Sequence, residues 1–211
     1  MADDGTGDSE ENGAAALLVH PEIIKLRSAL ASRKTADAET EAGVRRAAVA
    51  LIFRAGETGD PELLFIKRAD YPGDPWSGQV AFPGGREELG DSNLLNTAIR
   101  ETHEEIGLDL VRDATVIGTL EDLRPQTVRL PDIIVRPFVV LLKRAEEMLL
   151  SGEVAQAFWV PLATLKREES WRETTVLARG IQMERRAFHH QGHVVWGITE
   201  RILAQLLALL E

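Results

Sequence analysis

The sequence predicts an α/β (α+β) fold in which a mixed β-sheet is sandwiched between helices, an α/β/α arrangement. Two observations carry this. Strand-like apolar runs and helix-like periodic stretches are interleaved along the chain, an order that suits a mixed sheet covered by helices. A length of 211 residues with 44% apolar content supplies one full core.

The elements follow in chain order. Residues 1–13 hold Asp3, Asp4, Asp8, Glu10 and Glu11 and no base, so a disordered acidic tail is expected there, with 14–211 forming a single domain. Ile23, Ile24, Leu26 and Leu30 mark a short amphipathic helix over 21–32. The runs 45–54 (RRAAVALIFR) and 62–67 (ELLFIK) read as two strands joined by a glycine-containing turn. A helix over 92–106 follows, capped by Ser92 or Asp91 and ended by Gly107 in a left-handed conformation. At ~100° per residue its Leu95, Ala98, Ile99, Thr102 and Ile106 share one arc to be buried. Strands are expected over 115–120 and 132–142, with Pro137 marking an edge or a bulge. A short strand over 157–160 leads to Pro161, which opens a helix to about Lys166. Residues 167–193 are assigned to no element. The apolar helix over 199–210 is core or the interface of a homodimer, not a membrane anchor.

Composition excludes several classes. No run approaches the ~18 apolar residues of a membrane helix. The acidic, polar N-terminus lacks the pattern of a secretory signal. The absence of cysteine removes disulfides, thiolate catalysis and Cys-based zinc sites, and fits a cytoplasmic home. A net charge of −10 argues against binding nucleic acid or anionic membrane. An anionic small-molecule substrate would therefore need cations focused locally.

The densest chemistry lies in Arg100–Gly107, RETHEEIG. Glu101, Glu104 and Glu105 stand at i, i+3 and i+4, which brings them onto one face of a helix, about a third of a turn from the apolar arc. Like charges so placed repel by a few tenths of a kcal/mol per pair (~0.2–0.5). Oxygen ligands on a rigid face suit Mg²⁺ or Mn²⁺; the alternative is a solvated acidic face. Arg100, four residues before Glu104, can hold or neutralise a neighbouring carboxylate. Upstream, Pro83-Gly84-Gly85 allows a tight turn whose backbone approaches a ligand closely.

These residues resemble the Nudix box, GX5EX7REUXEEXGU. Gly85 is followed by five residues and then Asp91, where the family usually has Glu. Eight residues rather than seven precede Arg100; Glu101, Glu104, Glu105, Gly107 and Leu108 match, and Thr102 takes the usual aliphatic position. A longer box with Asp there, and the upstream segment Leu63–Gly85, are similar to the coenzyme A pyrophosphatase branch. Trp76 stands where that branch leads one to expect histidine, two residues before Gly78. The resemblance implies a Nudix α/β/α sandwich and hydrolysis of a small-molecule phosphoanhydride with Mg²⁺ or Mn²⁺. CoA or acyl-CoA is the favoured substrate; ADP-ribose, a dinucleotide or a nucleoside triphosphate is the alternative, and a noncatalytic nucleotide-binding module a third.

Under this reading Glu101 and Glu105 hold metal, the Gly84 carbonyl adds a ligand, and Glu104 is a second-metal ligand or a base. Glu153 is a candidate base outside the box. Arg68, ending a strand, is suited to a substrate phosphate. Gln79, Trp76 and Gly85 flank the pocket. His103 is expected to be exposed. His189, His190 and His193 suggest metal only superficially, given the better oxygen site.

Overall fold

The computed structural model describes residues 15–33, 43–71, 76–125, 132–144, 147–178 and 181–211. The acidic segment 1–13 lies outside them. Helix α1 (Pro21–Ser32) precedes β1 (Arg45–Ala55) and β2 (Pro61–Arg68), as expected. The short strands β3 (Val80–Ala81) and β4 (Gly84–Arg86) bracket Pro83, and α2 (Leu94–Ile106) and α3 (Leu110–Asp113) follow. Then come β5 (Ala114–Thr119), β6 (Ile133–Leu142), β7 (Val154–Pro161) and α4 (Leu162–Leu165). Strands β8 (Trp171–Ala178), β9 (Ile181–His190) and β10 (His193–Val195) form a separate antiparallel sheet before α5 (Ile198–Ala208). No described helix is long and apolar enough to cross a membrane.

The main sheet runs β3-β2-β1-β6-β5, with β4 also paired to β1 and β7 to β2. Only β1–β6 is parallel, so the sheet is mixed. Side chains alternate across it, as the two-residue period of a strand demands. Leu51, Phe53, Leu63 and Phe65 join Ile23, Leu26, Ile202, Leu203 and Leu206 on one face. Ala50, Ile52, Leu64 and Ile66 join Leu94, Ala98 and Ile106 on the other. Helices α1 and α5 thus cover one face and α2 the other, and the apolar stripe of α5 is spent within the chain's own core.

Three expectations are corrected. The α2 cap is Asn93, whose side chain accepts from the Asn96 N–H at 3.0 Å, rather than Ser92 or Asp91. Asp91 is drawn elsewhere, as described below. Pro137 marks neither an edge nor a bulge in its own strand: β6 lies inside the sheet between β1 and β5. Its carbonyl accepts from Leu120, one residue past the end of β5, so the N–H it lacks is missed only where that ladder stops. The bulge lies in β5 instead, between Val116 and Gly118. Finally, the buried face of α2 comprises Leu94, Thr97, Ala98, Thr102, Glu105 and Ile106, while Leu95 and Ile99 are only half-buried. The buried arc is rotated toward the acids, and Glu105 lies within it.

Candidate active site

The site is built where α2 crosses the Pro83-Gly84-Gly85 turn. Gly84 has φ +146° and pairs with Val49, while the Pro83 carbonyl accepts from Ala50 at 2.8 Å. A β-carbon on Gly84 would lie 2.2 Å from the Ala48 carbonyl oxygen, so only glycine lets this turn press onto β1. Two carboxylates converge on the turn. Glu105 accepts from the Gly84 N–H at 2.9 Å. The Glu101 carboxylate rests so close to Gly85 that a β-carbon there would lie 2.4 Å from it.

Both acids are strained electrostatically. Burial raises the Glu105 pKa to about 7, against the opposing pull of the Gly84 N–H and Arg68, with the charges of Glu101 and Glu153 adding to the rise. Burial also raises Glu101, and Glu104 and Glu153 push the same way. Isolated buried carboxylates are costly unless a cation compensates them. Here guanidinium groups do so. Arg100 lies 3.0 Å from Glu101 and 3.1 Å from Glu104, and Arg68 lies 3.6 Å from Glu105. Among the described residues no group of three His, Cys, Asp or Glu side chains stands ready around one point; the carboxylates meet these arginines.

Arg100 is itself held. Its Nε and Nη2 meet Asp91 at 3.0 and 2.9 Å, and Nη2 also donates to the Arg86 carbonyl at 3.0 Å. Those hydrogen bonds, the Glu88 N–H and the Thr97 hydroxyl keep Asp91 well below the usual carboxylate range. Asp91 therefore ties the loop before α2 to the middle of the helix. From the sequence Asp91 reads as a box position or a cap; the signal for its clamping role is the ion-pair chemistry of Arg100, which spacing along the helix directs to a neighbouring carboxylate such as Glu104.

The remaining candidates fall around this centre. Glu104 is mostly exposed, at 58% of its side chain. Glu153 is exposed beside Arg68, Ala69, Tyr71 and Gly152, which line a cavity of about 470 Å³. Gln79 receives the Arg68 N–H on its carbonyl, placing it beside β2. Trp76 is half-buried with the Arg86 guanidinium 5.7 Å over its ring. His103 is exposed. The histidines lie apart on the second sheet: His189 meets Arg172 at 3.1 Å, and His193 stacks on Phe158. Burial lowers all three histidine pKa values.

This donor set fits a hard divalent cation. Two desolvated carboxylates pack against a glycine turn that admits them only because it carries no β-carbon, and the ligating atoms they and the turn's carbonyls offer are all oxygen.

Comparison with known proteins agrees. The NUDIX domain family matches residues 44–179. A Nudix hydrolase named NudL from Photorhabdus laumondii is 34% identical over 147 residues, 69% of this chain and 75% of that one. The peroxisomal coenzyme A diphosphatase ndx-8 of Caenorhabditis elegans is 40% identical over 127 residues. That match takes in 59% of this chain, which spans only half the nematode protein's length. A Nudix hydrolase structure from Alicyclobacillus acidocaldarius shares the fold, with TM-score 0.52 and 22% identity over 81% of this chain and 93% of its own. Nudix hydrolases generally use divalent metal ions. On its motif, its site and these matches, the chain belongs to the Nudix hydrolase family.

Proposed function

We propose that this chain hydrolyses the pyrophosphate linkage of a nucleoside diphosphate derivative, with CoA or acyl-CoA as favoured substrate, giving 3′,5′-ADP and 4′-phosphopantetheine. The convergence of Glu101 and Glu105 on the Gly84-Gly85 turn carries the reading. Those two carboxylates, with the Gly84 carbonyl, would hold Mg²⁺ or Mn²⁺. Such an ion would supply charge neutralisation at nonbridging phosphate oxygens and an activated water. Arg100, fixed by Asp91, keeps Glu101 and Glu104 in place. Glu104 is the second-metal ligand or the base; Glu153, at the cavity beside Arg68, is the alternative base. Arg68 binds a substrate phosphate, and Gln79, Trp76 and Gly85 border the pocket.

The CoA assignment draws on the motif over Leu63–Gly85 and on the nematode relative. A second reading, ADP-ribose or a dinucleotide, is favoured by Trp76, whose half-buried ring beside the turn offers a stacking surface for a base. The cysteine-free composition suits a cytoplasmic protein, although the nematode relative's name places that protein in peroxisomes.

A substrate panel with Mg²⁺ and Mn²⁺, read by product identity, tests this. CoA should yield 3′,5′-ADP and 4′-phosphopantetheine; AMP and ribose 5-phosphate from ADP-ribose alone would install the second reading. Glu101→Gln, which keeps shape and removes charge, should cut turnover by about two orders of magnitude or more while leaving the fold intact. Activity near that of the parent would remove Glu101 from the site.

A further inference from the structure

Among the described residues Tyr71 is the one exposed aromatic: every phenylalanine and tryptophan is buried or half-buried, whereas Tyr71 is 66% exposed. A single exposed apolar residue is ordinary, so exposure alone assigns nothing; its surroundings do. Tyr71 lines the cavity of about 470 Å³ that Arg68, Ala69, Gly152 and Glu153 share, a size that suits a small-molecule pocket. Through Arg68, which lies 3.6 Å from Glu105, that cavity adjoins the candidate site.

The backbone around Tyr71 is fixed on both sides. The Ala69 N–H donates to the Glu153 carbonyl at 2.8 Å, and the Tyr71 N–H donates to the Ser77 hydroxyl at 2.8 Å. Gly78, at φ +67°, lies so close to Asp70 that a β-carbon there would stand 2.6 Å from its carboxylate. A surface placed in advance binds without the cost of ordering it. The lining also selects a ligand. It offers one aromatic ring, the Arg68 cation and the Glu153 carboxylate, with Ala69 as its one aliphatic side chain among the described residues. A pantetheine or acyl chain finds no apolar bed there. A planar base finds a ring to stack on and a guanidinium for the phosphate beside it.

We propose that Tyr71 is the stacking platform for the nucleobase, so that this cavity takes the nucleoside end of the substrate and the other end lies outside it. This rests on the reading of the substrate as a nucleoside diphosphate derivative. It makes Tyr71 a specificity residue, which binds the base and takes no part in bond cleavage.

Equilibrium dialysis of ADP and of inorganic pyrophosphate in Mg²⁺ tests the platform. Tyr71→Ala should bind ADP about tenfold more weakly than the parent, and pyrophosphate, which has no base, within about twofold. Tyr71→Phe, which keeps the ring, should match the parent on both. Equal losses of the two ligands, or no loss of ADP, overturn the platform; so does a loss of ADP in Trp76→Ala with Tyr71→Ala unchanged, which moves the base to Trp76. Tyr71 is the chain's single tyrosine and there is no cysteine to compete for the reagent, so nitration by tetranitromethane reads this ring. ADP at ten times its Kd should slow nitration about tenfold, and pyrophosphate should leave it unchanged; an ADP-independent rate overturns the proposal. On whichever nucleoside diphosphate derivative is cleaved, Tyr71→Ala should raise KM about tenfold at nearly constant kcat, and a fall in kcat at constant KM overturns the assignment. ADP binding that depends on Tyr71, without turnover of any such derivative, would remove the proposed hydrolysis and leave the base site standing.

Discussion

Replacing Glu105 by glutamine separates what this side chain costs the fold from what it contributes to the site. Burial moves its pKa from the ordinary 4.5 to about 7, above the value in the unfolded chain. Between those values the native state keeps a proton that the unfolded chain has lost, so the free energy of unfolding falls as pH rises through that window. Each decade of pH there costs about 1.4 kcal/mol, so complete ionisation costs up to about 3 kcal/mol. The side chain is 4% exposed, and solvent screening takes little from that figure. Glutamine keeps the shape and an oxygen for the Gly84 N–H but carries no charge. In EDTA at pH 8, Glu105→Gln should be about 1–3 kcal/mol more stable than the parent, a rise of about 2–10 °C in midpoint. At pH 5 the two should converge. Mg²⁺ should stabilise the parent by about 2.7 kcal/mol at a hundredfold excess over Kd, and the variant much less. Thermal melts followed by circular dichroism, with and without metal, measure all four conditions. A variant less stable than the parent in EDTA at pH 8, or a difference that does not grow from pH 5 to pH 8, refutes the reasoning.

Other expectations concern single positions. Gly84→Ala should lose about 3 kcal/mol or more, because its methyl meets the β1 backbone, whereas Gly85→Ala should lose much less stability but lose turnover, because its methyl meets only the end of the Glu101 side chain and displaces it from Arg100; similar stability losses in both would contradict this. Thr102 has a buried hydroxyl without a hydrogen-bond partner, so Thr102→Val should raise stability by about 1 kcal/mol in denaturant titration. Deleting residues 1–13, which hold almost no apolar surface, should leave activity and melting temperature unchanged; a loss of either would show a docked segment.

The central elements were legible because their signals are local. Strands β1 and β2 are continuous apolar runs buried on both faces, and α2 announces itself through its acids and Gly107. The second sheet was not legible, for a physical reason. In β8 and β9, Arg172, Glu173, Thr175, Glu184, Arg185 and Arg186 are exposed, and only Val176, Ala187 and Phe188 are buried among their described side chains. A ribbon wet on both sides shows no alternation. For the candidate site, the sequence named the residue types that the structure brings together at the Gly84-Gly85 turn. The burial of Glu105 was not legible, because helical spacing gives relative angles but not which arc meets the sheet. Nor was the Asp91–Arg100 clamp, which exists only once the loop folds back over the helix.

The parallel pairing of β1 with β6 sets the order in which this chain can become functional. As synthesis proceeds, β1 acquires its antiparallel neighbours first, and the motif helix emerges well before its sheet is complete. Phe138, Val140 and Leu142 of β6 supply part of the apolar bed beneath Leu94, Ala98 and Ile106, and closing that long loop is entropically slow. A nascent chain stopped before β6 would carry the entire signature without the apolar bed that β6 lays beneath its helix. A peptide of residues 83–108 should likewise be a poor metal binder despite its complete motif. The weakened acidity of Glu105 belongs to the packed helix and sheet, not to the motif, so the isolated signature does not carry it.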